Sequence, residues 1–422
     1  MKRLALMFAV AVLGFSGNAF AQLVMQMGNG WSFTVAGNVN AFGVYTDGTV
    51  SQQGPITGGL VAEEQITRIR TGLLPAFFTA EVKGNEAGFD LSAFFGFAPQ
   101  INSNGAHDNF GAQIDMRQVY MTVGGKEWGS LLVGRNLGLY QRHNILTDLT
   151  LFGAGPSGGG VGTGGTTLGR IGFGYLYPNF NAQLTYTSPA TSPFQLTLGL
   201  FDPSAIEGNS HSFGFTRSPR VETELTFTQQ LSEKNGSNQP TSTLTAWVGG
   251  TYQHASANVD KRTSPAPSPV AVDAGPSIDA VGGALGAKVD IGGVSLVGSG
   301  YLSSGLGTTL MFDFANTAVD ANDKARTSWG YMAQLAYAIP ATSVVVGGAW
   351  GESRMVESDA DKTVTATGDP LIKANSAATA SIQYNWTKSL KNVLEATYAQ
   401  SEAFSGAKKK SFQGALGLML FF

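Results

Sequence analysis

The chain has 422 residues, of which only 13% are charged, about half the usual share. Lysines and arginines number 26 against 29 acids, leaving a net charge near −3 that argues against nucleic acid as a partner. Cysteine is absent, which excludes a disulfide framework and any cysteine metal site, and suits an oxidising compartment.

Lys2 and Arg3 form a basic start, and Leu4 to Phe15 is an apolar run too short to span a membrane. Ala19-Phe20-Ala21 reads as a cleavage signal, so residues 1–21 are expected to be a signal peptide and Gln22 the mature start. Beyond it no apolar stretch of ~18 residues occurs, so no transmembrane helix is expected.

From Trp31 onward one pattern repeats. Segments of period two are joined in turn by short and by long connections. The expected strands are Trp31–Thr46, Val61–Lys83, Phe89–Ala98, Gln113–Val123, Trp128–Arg135, Gly169–Thr187 and Phe194–Phe201. They continue with Arg220–Leu231, Thr241–His254, Ile278–Val289, Val294–Leu302, Thr327–Ile339, Val344–Gly351, Asn375–Trp386, Lys391–Ser401 and Lys410–Phe422. Val61–Lys83 contains Pro75, and Gly169–Thr187 contains Pro178-Asn179. Each is read as one long strand, because only then does the alternation of connections hold.

The sixteen strands expected here place both termini on one side, with short turns such as Glu233–Gly236 on that side and long loops on the other. The Pro-rich tract 264–269 is read as part of a loop, and residues 22–422 as one domain. Within strands the faces separate cleanly. Phe194, Leu196, Leu198 and Leu200 oppose Gln195, Thr197 and Gly199. The last strand puts Phe412, Leu416, Leu418, Leu420 and Phe422 on one face. A soluble chain seldom ends on such an edge, whereas a closed barrel in lipid has a use for it. Trp31, Trp128 and Trp386 at one set of strand ends, and Trp329 and Trp350 near the other, fit interfacial girdles; Trp247 falls mid-strand and does not fit.

The expected fold class is therefore all-β, a 16-stranded antiparallel transmembrane β-barrel. Sixteen strands ~4.8 Å apart and tilted ~40° enclose a lumen about 30 Å across at the backbone. A hole that wide needs narrowing. Residues 136–168 are the candidate: Leu137, Leu139, Ile145, Leu146, Leu149, Leu151 and Phe152 need something to pack on, and Gly153–Gly165 is glycine-dense. They are expected to fold inward as a constriction loop.

Gly129-Ser130-Leu131-Leu132-Val133-Gly134-Arg135-Asn136-Leu137-Gly138 resembles the fifth strand of Gram-negative general diffusion porins as it enters the constriction loop. Thr147–Gly155 is similar to that loop's acidic tip, and Met116–Tyr120 to the preceding wall strand. The resemblance covers roughly Asp115 to Pro189. It implies an outer-membrane location, a homotrimer, contact with lipid and lipopolysaccharide, and a water-filled channel for small hydrophilic solutes and ions. It also implies wall arginines at Arg117, Arg135 and Arg170 facing a loop carboxylate at Asp148. Arg68 and Arg70 stand as further pore or rim residues, and Phe422 as an assembly signal.

The chain departs from that pattern. Leu151 or Phe152 stands where a second loop carboxylate is expected, Thr79 where a wall arginine is expected, and Arg142 and His143 add positive charge to the loop. An ion preference does not follow. A substrate-specific channel or an adhesin barrel is the alternative. No G-x-S-x-G or H-E-x-x-H motif occurs, His107, His143, His211 and His254 fall at loops or strand ends, and neither an enzyme nor a metal or cofactor is expected.

Overall fold

The computed structural model describes residues 23–48, 56–61, 65–101, 114–156, 166–208, 210–232, 242–257, 259–260, 276–312, 317–366 and 371–422. The expected signal peptide (residues 1–21), the expected 233–236 turn and the 264–269 tract lie outside these.

Sixteen wall positions close into an antiparallel barrel. Ser32–Gly48 pairs with the final strand Lys408–Phe421 on one side, and with Ile66–Arg70 and Phe77–Glu86 on the other. The remaining wall strands are Phe89–Pro99, Ile114–Gly125, Gly129–Leu137, Phe180–Thr187, Phe194–Phe201, Arg220–Gln230, Ser242–Ser256, Ser277–Ile291, Val294–Ser304, Thr327–Ala338, Val344–Met355, Ile372–Asn385 and Leu390–Ala403. A short strand, Leu23–Gln26, pairs with Ser32–Val35 below the chain terminus. The last residue itself is bonded: Phe422 N donates to Gly37 O at 3.0 Å and Gly37 N to Phe422 O at 2.8 Å. No edge is left at the seam, which lipid requires.

The two long strands expected from sequence are both revised. The second wall position is one strand interrupted at 71–76, around Pro75. Gly169–Thr187 is not a single strand. Only Phe180–Thr187 lies in the wall, and the residues before it run inside the barrel. The alternation of short and long connections survives both changes, with one exception: residues 404–407 join the last two strands by a short turn at the long-loop end.

Which face is which follows from exposure. In the last strand Leu416, Leu418 and Leu420 are 57%, 49% and 47% exposed, while Ala415, Met419 and Phe421 are buried. Leucines turned outward are stable only against acyl chains. Phe194, Leu196, Leu198 and Leu200 face outward in the same way, with Thr197 and Phe201 inside. Trp128, Trp350 and Trp386 are exposed; Trp247 is buried and points inward.

The apolar core is inside the barrel, where loop segments meet the inner wall. Residues 56–61 tuck in so that Leu60 and Val61 pack on Phe173, Ala377 and Ala399. At the loop end Ile206–Glu207, His211–Phe213 and Val259–Asp260 form a three-stranded sheet. Phe213 there joins Tyr140, Leu176, Leu306 and Phe312 in a buried cluster. Helix Asp359–Ala366 is tied down by Arg326, whose Nε and Nη2 both donate to Asp361.

Candidate functional site

The chain leaves the wall at Leu137 and crosses the lumen. Glu222, on the inner face of its strand, accepts Leu139 N at 2.7 Å and Tyr140 N at 2.9 Å, so a wall carboxylate anchors the departure. Gln141 follows in the left-handed region at φ 66, a conformation that costs a non-glycine residue about 1 kcal/mol. Its side chain holds it there by accepting from Asn144 Nδ2 and Leu176 N. Helix Arg142–Thr147 comes next. Arg142 and His143 both reach Glu224, the neighbouring inward carboxylate on the same strand as Glu222. Trp247 stacks on His143 with ring centres 5.2 Å apart and donates to Asn144 Oδ1 at 3.0 Å. That explains the tryptophan that fits no girdle.

Asp148 lies between this helix and the 3-10 turn Leu149–Phe152. It accepts from Thr150 N, Thr150 Oγ1 and the Tyr175 hydroxyl, the last at 2.7 Å. It is fully buried, and burial pushes its carboxyl above the usual range despite the nearby Arg170 guanidinium and the Tyr175 hydrogen bond. Asp148 therefore caps a turn and does not line water, a correction to its expected place opposite a wall ladder.

The break in the second wall strand has a purpose. Leu73 N donates to Gly153 O at 2.9 Å and Leu74 N to Leu151 O at 3.1 Å, so the freed backbone binds the loop. Asn40 takes Gly72 N and gives to Leu74 O, and Asn38 gives to Pro75 O. Thus several of the groups lost from the ladder regain partners. On the same side of the barrel, beyond the seam, Glu395 accepts Ala154 N at 2.8 Å and Gly155 N at 2.9 Å, while Gln413 donates to Gly155 O. Gly153 sits so close to the Glu395 carboxylate that a Cβ there would have to push it aside. Gln334 grips the middle from both sides, donating to Thr147 O and accepting from Leu149 N.

The returning stretch 166–179 is equally held. Arg70 Nη2 donates to Thr166 O at 2.7 Å, Gly174 N to Ser353 Oγ at 3.0 Å, and Tyr177 N to Thr309 O at 2.9 Å. Arg170 lies in this stretch, wholly buried, and not on the wall where the resemblance puts it. Desolvation lowers its tendency to stay charged, opposed by Asp148, Tyr175 and Glu395 nearby.

The other expected residues divide. Arg117 faces inward from a bulge, where Gly96 pairs with Gln118 and Phe97 with Met116. Its Nε donates to Asp115 at 2.8 Å and its guanidinium lies 5.6 Å from the Phe180 ring centre. Arg135 pairs with Val119 and Ala182, both on the outward face, so its backbone register differs from that of Arg117, although it stays within electrostatic reach of Tyr177. Arg68 and Arg70 pair with Val44 and Phe42 and share their inward face, Arg68 exposed there and Arg70 buried. Sequence reasoning missed Glu222, Glu224, Glu395 and Gln334. For the three glutamates the signal was present, since a charged residue in a lipid-spanning strand points inward; Gln334 is uncharged and stood on the polar face of its strand. Among the described residues no cluster of three or more His, Asp or Glu side chains forms a metal site.

A closed sixteen-strand barrel with oily leucines outside, and a loop bonded across its lumen, is the architecture of an outer-membrane channel. A family profile described as Gram-negative porin matches residues 5–403. The chain belongs to the Gram-negative porin family. As such it is an outer-membrane channel for passive diffusion. No curated protein matches the sequence significantly.

Solved structures agree on the fold. The outer-membrane channel DcaP of Acinetobacter baumannii superposes with a TM-score of 0.64 at 11% identity, over 94% of this chain and 99% of its own. Salmonella typhi OmpF, solved with daunomycin, gives 0.55 at 12% identity over 95% and 100%. OprB of Pseudomonas putida gives 0.54 at 14% identity over 93% and 94%. The porin's constriction loop is thus held to its wall by wall carboxylates, while the loop itself carries Arg142, His143 and Arg170.

Proposed function

We propose that the mature porin, starting at Gln22 after removal of residues 1–21, forms a homotrimer in lipid and lipopolysaccharide. It passes small hydrophilic solutes and ions without chemistry on them. The loop bonded to strands on several sides of the lumen supports this reading, since a constriction that must stay in place under solute flux needs such anchorage. The trimer rests on the family resemblance. Phe422, paired with Gly37, is proposed as the assembly signal, and Arg117 as a wall residue of the pore.

Purified protein in planar bilayers tests the whole. Stepwise conductance is expected, and deletion of residues 138–165 should increase it. A silent wild-type protein, or a conductance indifferent to the deletion, refutes the constriction. Arg117→Glu should shift selectivity toward cations, and an unmoved reversal potential removes Arg117 from the pore. Unheated electrophoresis with cross-linking should give a trimer band.

A further inference from the structure

Charged side chains inside this barrel are not equally open to water. Glu224 is only 3% exposed, whereas Arg142 and His143, which cover it, are 28% and 23% exposed. Solvent therefore meets the two basic groups of the loop and not the carboxylate beneath them. On the Ile114–Gly125 wall the order is inverted: Asp115 is 40% exposed and its partner Arg117 14%. The remaining carboxylates facing the loop are spent on its backbone, Glu222 on Leu139 and Tyr140, Glu395 on Ala154 and Gly155. Asp148 is turned into the loop's own interior.

The arrangement is built and not incidental. Trp247 stacks beneath His143 and bonds Asn144, so the helix presents residues 142 and 143 in a fixed orientation. A guanidinium keeps its charge at every relevant pH and offers several donors to a passing oxyanion. Charged rings at a narrow point set which ions pass.

We propose that the loop, through Arg142 and His143, carries the positive side of this constriction, and that the channel favours small anions such as chloride and short carboxylates. The polarity is the reverse of the wall-arginine, loop-carboxylate arrangement that the resemblance implies. Glu224 is a positioning residue that holds both side chains toward the lumen. The inference rests on the diffusion-channel reading and deepens it.

Zero-current potentials across a KCl gradient decide. Wild type should prefer chloride at ~0.1 M salt, and the preference should fade toward ~1 M, where the Debye length falls from about 10 Å to about 3 Å. Arg142→Gln combined with His143→Gln should lower the chloride-to-potassium ratio several-fold, while Asp115→Asn raises it. Glu224→Gln keeps an acceptor under Arg142 and should also raise the ratio, a change that a purely structural role does not produce. A cation-preferring wild type, or a conducting double variant with the wild-type potential, overturns the inference while leaving the channel reading intact. Should the double variant fail to fold, the wild-type salt series still decides: a preference unchanged up to ~1 M rejects it. A wild type with no conductance removes the channel reading and this inference together.

Discussion

Single side chains hold this constriction by pairing with main-chain groups 82 to 258 positions away in sequence. Glu395 is the plainest case. Its Oε2 accepts two amides of the loop, and Glu395→Ala leaves both donors buried without a partner. A cost of about 1–3 kcal/mol is expected. A lower midpoint of thermal unfolding in detergent, together with noisier single-channel currents, checks it; unchanged values for both argue against the clamp. Asp148 separates structure from conduction. Asp148→Ala should destabilise by about 1 kcal/mol through the lost cap. It should leave the reversal potential where it was, since the carboxylate meets no water. A shifted potential places Asp148 in the pore after all.

At the scale of elements, the broken second strand and the terminal strand show opposite uses of the same period. Interruption at 71–76 gives up ladder bonds to the neighbouring wall and gains bonds to the loop, with Asn38 and Asn40 filling the gap. The terminal strand gives up nothing. Leu416→Arg, on its lipid face, should cost about 2–4 kcal/mol, read as reduced folding yield into vesicles. Helix Asp359–Ala366 offers a pH test. Burial pushes the Asp361 carboxyl up, but hydrogen bonds from Arg326 and Ser358 outweigh it and hold it below the usual range. A depressed folded-state value means that the anchor is present above the ordinary carboxylate pKa near 3.9 and is lost as pH falls through the lower folded value. Protection of the 359–366 amides, taken relative to unstructured chain at the same pH, should be high at pH 6 and lost at strongly acidic pH. A protection factor that is the same at both pH values contradicts the anchor.

For the molecule as a whole, closure and filling are separate problems. Closure is a matter of pairing: sixteen strands, the last bonded to the first, leave no unpaired edge in lipid. Filling is done by the loops. Residues 56–61, the crossing segment and the small sheet at the loop end pack against the inner wall. The channel's width is therefore set by loop packing on a fixed frame, and deleting the crossing segment should widen it without unfolding the barrel.

The outward leucines, the strand count and the inward placement of most strand charges could be read from the chain, because period-two alternation is local and an outward charge in lipid is costly. Glu222 and Glu224, two residues apart in one strand, already announced an inward acidic face. What the fold alone decided was their partner. Nothing near Glu395 in sequence hints at Ala154, and in Gly169–Phe180 only Pro178-Asn179 marks a break, since the apolar residues suit a buried lining as well as a strand. Such contacts depend on where the barrel's circumference brings distant strands and loop together, and alternation along one strand carries no information about that.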